Sequence, residues 1–389
     1  MAKILILGSG CAAYREHLLA SVAAEHHVVL AQEAPATWQN RHVSIVHRIA
    51  VGDLQAVLRL ARDESVEAVL TWVESWIETA AAATSALRLP GHPLPSARAC
   101  RDKHRMRQVW AAAGVPSARS FLVTDEAQAC RAAADLGYPV VVKPRALVGG
   151  AGVRLAREPA ELARAYATAA RADGALVEEY LNGPQISVES VLVRGGRLHI
   201  VAVGNRRAGT PPGLATASRL IPVTQAEQLA PVRRAVDAAH AALGLCEGVT
   251  HAEVRLTARG PRLVGLNAQL GGDLIPRLVA LATGVNLAAA AVDAALGEQP
   301  RLLHTRRRSA GIVFRYSDAA SEALPANPPL PLPDGVELLW TTPDARATGP
   351  GGRLGHAVVV ADDDATCQDR LEKAYAALLQ DCGPVLLHQ

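Results

Sequence analysis

Two groups of residues in this sequence have types and spacing that suit chemistry on a phosphorylated compound. In the first group, Lys143 belongs to the predicted strand Val140–Pro144, which precedes the glycine-rich segment Gly149–Val153. A glycine-rich turn exposes successive backbone N–H groups, and a neighbouring ammonium adds a compact positive charge, so together they suit a polyphosphate. For the turn taken alone, a plain glycine hairpin is the open alternative.

The second group lies on two predicted strands that flank a short turn. In alternating strands, Glu253 and Arg255 share one face, and Gly265, Asn267 and Gln269 also share one face. A carboxylate and an amide from adjacent strands can therefore converge on one cation, and oxygen ligands favour a hard cation such as Mg²⁺.

The elements that position these residues begin with a small α/β unit. Short apolar strands alternate with helices over the first 95 residues, which predicts a parallel sheet covered on both faces. Gly8 and Gly10 match a dinucleotide fingerprint only in part, because position 13 is Ala and no acidic residue stands convincingly at the ribose position. A site for NAD is a minor alternative there.

Helical periodicity predicts one basic helix over 96–113, with its arginines, including Arg107, on a solvated face. A second long helix is predicted over 278–296. Residues 205–213 are rich in polar residues, Gly and Pro, which predicts a loop. Strands and a closing helix are expected in 309–389.

The composition excludes several classes of function. Lys and Arg number 40 against 37 Asp and Glu, for a net charge of +3, which does not favour nucleic acid as a partner. The six cysteines are scattered without zinc-like spacing, which favours reduced thiols. No apolar stretch approaches the about 20 residues that cross a bilayer, so we expect no membrane partner and a cytoplasmic location.

Six motifs occur in a fixed order along the chain. They are Asp102–Arg107 with Gly114–Pro116, Tyr138–Pro144, Gly149–Val153, Val177–Gly183, His251–Glu253 and Leu266–Asp273. Each is weak alone, but this succession resembles the ATP-grasp superfamily, and within it the carboxylate–amine ligases, over roughly residues 3–300.

The resemblance implies an ATP-grasp fold of mixed α/β and α+β class. The implied parts are a Rossmann-like N-terminal domain (1–95), a linking helix (96–118), a small lid subdomain (119–185), a large subdomain (186–305) and a C-terminal subdomain (306–389).

The resemblance also implies a reaction. In the family, ATP phosphorylates a substrate carboxylate, and an amine attacks the acyl phosphate to give an amide, ADP and phosphate. The implied substrates are a small-molecule carboxylate and amine, such as amino acids in natural-product or peptide biosynthesis. A homodimer is left open.

Site residues are carried over from the family by position. The resemblance implies ATP contacts at Lys103, Lys143, Gly149, Gly150, Gly152, Glu178, Glu179, Leu181 and Gln185, with Mg²⁺ at Glu253 and Asn267. It implies substrate contacts at Glu74, Arg206, Arg207, Gly271 and Gly272.

Two positions depart from the family pattern. Gly265 stands where a metal-bridging carboxylate is usual, and Gln269 stands where an arginine usually stabilises the reacting anion. Loss of one such donor typically costs about 10²–10³ in rate. Arg255 or Arg277 could take over the anion, so Arg255 and Gln269 are the catalytic candidates.

These departures leave two hypotheses. The chain is an active ligase with a modified site, or it is a nucleotide-binding homologue with degraded ligase activity and a regulatory or partner-binding role. A gain of turnover in a double variant, Gly265→Glu with Gln269→Arg, would favour the second.

Overall fold

The computed structural model describes residues 1–147, 150–208, 215–221, 226–316, 335–341 and 353–380. The N-terminal unit contains a four-stranded parallel sheet in the order β3-β2-β1-β4. This confirms the Rossmann-like prediction, although the periodicity did not indicate the third strand. The strands are β1 (Lys3–Leu7), β2 (His27–Gln32), β3 (Ile45–Arg48) and β4 (Ala68–Leu70), and the helices are α1 (Ala12–Ala23), α2 (Leu54–Asp63) and α3 (Ile77–Leu87).

The glycine pair after β1 makes room for protein side chains. Gly8 and Gly10 both have φ of +75°, a conformation that glycine adopts without strain. A Cβ at Gly8 would lie 2.9 Å from the Trp76 indole, and one at Gly10 would lie 2.8 Å from the Arg15 side chain. Trp76 and Arg15 therefore pack against the two positions where a dinucleotide fingerprint would need open backbone.

The single helix predicted over 96–113 is wrong, because the chain forms two helices there. They are α4 (Leu94–Arg101) and α5 (Lys103–Ala112). Asp102 separates them in an extended conformation, and its carboxylate accepts the backbone N–H groups of His104 and Arg105. An aspartate that caps a helix in this way starts a new helix with a change of direction.

A second, antiparallel sheet follows in the order β5-β8-β6-β7. Two helices cover it and pack with it around an apolar cluster. The elements are β5 (Ser120–Val123), α6 (Glu126–Leu136), β6 (Val140–Pro144), β7 (Arg154–Ala156), α7 (Pro159–Ala169) and β8 (Ala175–Glu179).

The third sheet has eight strands in the order β13-β12-β9-β10-β11-β14-β16-β15. Strands of the predicted large and C-terminal subdomains thus form one continuous antiparallel sheet, while the boundary near residue 305 stays a prediction. The strands are β9 (Gln185–Val193), β10 (Arg197–Ala208), β11 (Ala215–Ile221), β12 (Gly248–Thr257), β13 (Gly260–Asn267), β14 (Ser309–Tyr316), β15 (Val336–Thr341) and β16 (Arg353–Ala361).

The polar loop predicted over 205–213 is partly wrong. Residues 205–208 continue β10: all four pair with β11, and residues 205 and 206 also pair with β9. Polar side chains do not prevent a strand whose backbone pairs on both sides, since the ladder satisfies its N–H and C=O groups. The rest of the predicted loop lies outside the described residues.

The large sheet is packed with four helices, α8 (Ala226–Leu243), α9 (Ile275–Thr283), α10 (Leu287–Ala295) and α11 (Asp364–Gln380). The one helix predicted over 278–296 is wrong, since α9 and α10 are bent by 104°. Gly284, at φ +81°, ends α9, and Asn286 caps α10. Among the described residues no single helix is long and apolar enough to cross a membrane; only this bent pair passes that test, by length and composition.

Candidate active site

A buried ion cluster joins the small sheet to α5. The Lys143 Nζ on β6 lies 2.6 Å from Glu178 Oε2 on β8, and the Arg107 Nε on α5 lies 3.0 Å from Glu178 Oε1. Arg107 also donates from Nη2 to the Val264 carbonyl at 2.6 Å. All three charged side chains are less than one-tenth exposed. The prediction of a solvated Arg107 is therefore wrong, because this face of α5 is covered by β8 and β13.

Burial and neighbouring charges shift the pKa values within this cluster. Burial lowers the pKa of Lys143 to about 8, Glu178 opposes that change and Arg107 adds to it. Burial acts against ionisation of Glu178, but Arg107 and Lys143 lower the pKa of this carboxyl below its usual value. One carboxylate thus faces two cations, which leaves a positive excess in an apolar setting.

Lys103 lies near groups from three other parts of the molecule. It is the first residue of α5, and its Nζ donates to the Leu147 carbonyl at 2.5 Å, just before the glycine-rich turn. Burial lowers its pKa, whereas Glu74, Glu178 and Glu253 raise it through their charges. These carboxylates come from the N-terminal unit, the small sheet and the large sheet, so Lys103 marks a shared cleft.

The glycine-rich turn requires glycine at its described positions. Gly150 and Gly152 have φ of +76° and +74°. A Cβ at Gly152 would lie 2.7 Å from the Pro144 side chain, which follows Lys143 directly. Gly149 lies outside the described residues. The turn is thus fixed against the end of β6 and close to both lysines.

The predicted adenine hinge follows β8. The Glu179 carboxylate accepts the Arg119 backbone N–H at 3.2 Å and pairs with Arg259 at 3.0 Å. Leu181 is buried, and Gln185 opens β9, where it pairs in register with Arg255. The structure therefore brings these hinge residues to the edge of the cleft next to Glu178.

The two predicted metal ligands lie on neighbouring strands of the large sheet. Glu253 on β12 pairs with Gly265 on β13, and Asn267 stands two residues farther along β13. Cross-strand neighbours of this kind lie within reach of one another. A Cβ at Gly265 would lie 3.9 Å from Glu253 Oε2, so the space of the missing carboxylate borders Glu253.

His251, a buried residue beside Glu253, is part of a predicted motif but had no predicted role. The His251 Nδ1 lies 2.7 Å from Glu189 Oε1, and its Nε2 lies 3.8 Å from Glu253 Oε1. Although burial lowers it, the two glutamates raise the pKa of His251 to about 10. The H-x-E spacing on one strand was the available signal, but Glu189 comes from β9, 62 residues away.

The described residues contain no group of three or more His, Cys, Asp or Glu side chains able to hold a metal ion. Glu253 and Asn267 therefore offer one carboxylate and one amide. Such a set suits Mg²⁺, which is commonly held by one or two carboxylates together with substrate phosphates.

The catalytic candidates differ in their surroundings. Arg255 donates from Nη1 to the Gly183 carbonyl at 2.7 Å, so part of its guanidinium is committed to the turn before β9. Gln269 is 8% exposed, and its Oε1 has no hydrogen-bond partner within the described part of the chain. The buried Nε of Arg277 likewise finds none there.

The predicted substrate residues are only partly brought together. Glu74 lies near Lys103, and burial raises the pKa of its carboxyl. The Gly271 carbonyl accepts a hydrogen bond from Arg15 at 3.1 Å, and Gly272 next to it is exposed. Arg206 and Arg207 lie on β10 by their backbone, and their side chains lie outside the described part of the structure.

Comparisons with known proteins show what the chain is similar to. Residues 102–253 match the family model of the carbamoyl-phosphate synthase L chain ATP-binding domain. The chain is 32% identical over 279 residues to the uncharacterized protein y4rH of Sinorhizobium fredii, covering 68% of this chain and 57% of that protein. It is 35% identical over 195 residues to phosphoribosylamine–glycine ligase of Streptomyces coelicolor, covering 49% and 45%. The chain thus spans about half the length of these curated relatives.

A solved structure supports the same relationship at the level of fold. The L-amino acid ligase from Bacillus licheniformis superposes with a TM-score of 0.78 over 97% of both chains. The sequence identity is 19%, so the likeness shows a shared fold across the whole described architecture.

Proposed function

We propose that the chain is a member of the ATP-grasp superfamily and that it is an ATP-dependent carboxylate–amine ligase that joins two amino-acid-like substrates. Its products would be an amide, ADP and phosphate. The phosphoribosylamine–glycine ligase and L-amino acid ligase among the compared proteins support this class of reaction by their names.

The observation that carries the proposal is the position of Lys103. The ammonium of Lys103 donates to the Leu147 carbonyl just before the glycine-rich turn. The charges of Glu74, Glu178 and Glu253 also act on this ammonium and raise its pKa. A nucleotide, a metal ion and a substrate amine need these different groups in one cleft. A protein that used the fold only as a scaffold would have no need for such convergence.

The residues present fit both ATP and Mg²⁺. The buried Lys143 and half-buried Lys103 supply positive charge, and Gly150 and Gly152 supply a turn without side chains. When bound, ATP provides the phosphoryl group that makes a carboxylate reactive, and Mg²⁺ neutralises charge on its phosphates.

The chain's own residues then have separate roles in the proposal. Lys103 and Lys143 bind the phosphates, and the backbone of Glu179 and Leu181 positions the adenine. The Gln185 side-chain oxygen accepts a hydrogen bond from a ribose hydroxyl. Glu253 and Asn267 hold the metal ion.

The remaining roles concern the substrates. The Glu74 carboxylate orients the amine, while Gly271 and Gly272 let a substrate approach the backbone. Gln269 occupies the position where an arginine is usual in the family, and Arg255 fixes the turn at Gly183. We place the reaction in natural-product or peptide biosynthesis, where amide bonds between amino acids are made outside the ribosome.

The proposal is tested by incubating the protein with Mg²⁺, ATP and pools of amino acids. We expect ADP and phosphate to be released only when a carboxylate and an amine are both present, with the amide detected by mass spectrometry. The variant Lys103→Ala should remove this activity, whereas Arg131→Ala on the exposed face of α6 should keep it. Phosphate release that is independent of both substrates would contradict ligase activity.

A second candidate function rests on Gly265 and Gln269. Position 265 is a glycine, and the buried amide oxygen of Gln269 has no partner among the described residues, so the chain could bind a nucleotide without forming an amide. The double variant Gly265→Glu with Gln269→Arg separates the candidates. A large gain in turnover would favour a degraded homologue, and a loss would favour the working site proposed above.

A further inference from the structure

An arginine-lined groove lies on the molecule outside the cleft described above. It has a volume of about 650 Å³ and is bounded by the segment 114–119, by α8 and by the turn between β12 and β13. Four arginines line it, and no acidic residue does within the described part of the chain. The four are Arg119, Arg234, Arg259 and Arg262.

This local excess of positive charge is not explained by composition. The whole chain has 40 basic and 37 acidic residues, so a groove with four arginines and no acidic lining residue is strongly biased. Guanidinium groups that face one another repel, and this cost is relieved when an anion lies between them. Arginine also offers a planar fork of donors that matches carboxylate and phosphate oxygens.

The four arginines differ in whether their guanidinium groups already bind other groups of the protein. Arg119 donates to the Asp135 carbonyl at 2.8 Å, and Arg259 pairs with Glu179 at 3.0 Å. Arg234 is exposed on α8 and has no described partner, and the buried Nε of Arg262 on β13 also has none among the described residues. Because α8 packs on β13, these two side chains offer donors from both walls.

The groove is physically tied to the predicted nucleotide hinge. The Glu179 backbone N–H donates to the Arg119 carbonyl at 3.0 Å, and the Glu179 carboxylate holds Arg259. The segment that lines the groove is also joined to β13, since the Leu263 N–H donates to the Pro116 carbonyl at 2.8 Å. A ligand that binds the Arg259 guanidinium therefore competes with the hinge residue Glu179 for that group.

We propose that this groove binds a small organic or inorganic polyanion, with several carboxylate or phosphate oxygens, between Arg234 and Arg262. The bound anion draws Arg259 away from Glu179 and so weakens nucleotide binding at the hinge. The anion site does not depend on the proposed ligase function, whereas the coupling to nucleotide rests on it.

Binding is tested by calorimetry with citrate and with inorganic pyrophosphate, each in Mg²⁺-free buffer of low ionic strength. The variant Arg234→Ala with Arg262→Ala should bind the anion about 100-fold more weakly, since each lost guanidinium removes about tenfold. The matched control, Arg131→Ala with Arg164→Ala, removes two exposed arginines of the small-sheet helices and should bind as the wild type does. If only citrate binds, the ligand of the groove is a polycarboxylate. If only pyrophosphate binds, the ligand is a phosphate compound.

Two outcomes overturn the anion site. One is equal affinity in the groove variant and the control. The other is a result in which Lys103→Ala loses anion binding while the groove variant keeps it, which would place the anion in the nucleotide cleft. Arg234→Ala alone, at an exposed position, keeps the test valid if the double variant unfolds.

The coupling has its own measurement. We expect saturating anion to weaken ADP binding about fivefold in the wild type and not in Glu179→Gln, which has no carboxylate for Arg259 to leave. An unchanged ADP affinity in the wild type would remove the coupling while the anion site stands. Absence of any ADP binding would instead count against the proposed function.

Discussion

The two halves of the candidate active site are built differently. In the nucleotide half, Lys143, Glu178 and Arg107 are buried, in contact and held by two strands and a helix. In the metal half, Glu253 borders the empty side-chain position of Gly265, and the Gln269 amide oxygen has no partner among the described residues.

This difference indicates which half of the site tolerates substitution. Breaking a buried ion pair costs about 3–5 kcal/mol, so the nucleotide half resists substitution for reasons of stability as well as binding. In the metal half, Gly265 carries no side chain, so a substitution there breaks no buried ion pair. Changes in reaction specificity are therefore easier to accommodate at β13 than at β6 and β8.

The largest expected effect is in the metal half. Glu253→Gln removes the only carboxylate among the two proposed metal ligands and should lower turnover roughly 10²–10³-fold, since metal-ion charge stabilisation contributes several kcal/mol. Steady-state kinetics across Mg²⁺ concentrations measures it. Nucleotide affinity without Mg²⁺ should stay within about twofold, and an equal loss there would mean that the two halves are not separable.

The second effect is in the nucleotide half. Lys143→Met should weaken ATP binding about 100-fold, because it removes a buried charge that we propose donates to phosphate oxygens. Calorimetric titration measures it, with Lys143→Arg as the control that keeps the charge. A thermal melt shows whether the remaining Arg107–Glu178 pair supports the fold. Unchanged ATP affinity in a folded variant would contradict the whole assignment.

A smaller effect comes from filling the gap at Gly265. In Gly265→Glu the new carboxylate starts beside Glu253, so the Mg²⁺ concentration for half-maximal activity should fall about tenfold, while turnover should not rise. Gly265→Gln has similar bulk without charge and should leave the Mg²⁺ requirement unchanged. A rise in turnover would mean that the metal half is degraded.

The smallest effect is a pH dependence confined to the nucleotide half. Burial lowers the pKa of Lys143 to about 8, so the ammonium is charged below that pH and loses its proton above it. Nucleotide affinity should therefore fall about fourfold between about pH 7 and about pH 8.5. Lys143→Arg stays charged and should show a flat profile. Parallel profiles in both proteins would assign the titration to another group.

The sequence predicted the local elements better than their contacts. Apart from β3, the alternating strands and helices of the first 95 residues and the strand Val140–Pro144 were predicted correctly, because they depend on neighbours in the chain. The helix breaks at Asp102 and Asn286 were missed, although an Asp or Asn that caps a following helix was a readable signal. Basic residues on both sides of Asp102 and apolar residues on both sides of Asn286 nevertheless favoured one continuous helix in each case.

The site residues divide in the same way. The pairing of Glu253 with the Gly265–Asn267 segment was predictable, because a short turn connects the two strands. Arg107 and Glu189 were not, because their partners Glu178 and His251 lie 71 and 62 residues away along the chain. A buried ion pair between distant segments leaves no periodic trace in either segment.

The order of the large sheet has a consequence for dissecting the protein. β14 lies between β11 and β16, so it pairs with a strand of the ATP-binding part on one side. A chain cut after α10 would leave the outer N–H and C=O groups of β11 as an open edge. Such edges pair with those of other molecules, so the shortened protein would aggregate although every nucleotide-binding residue remained in it.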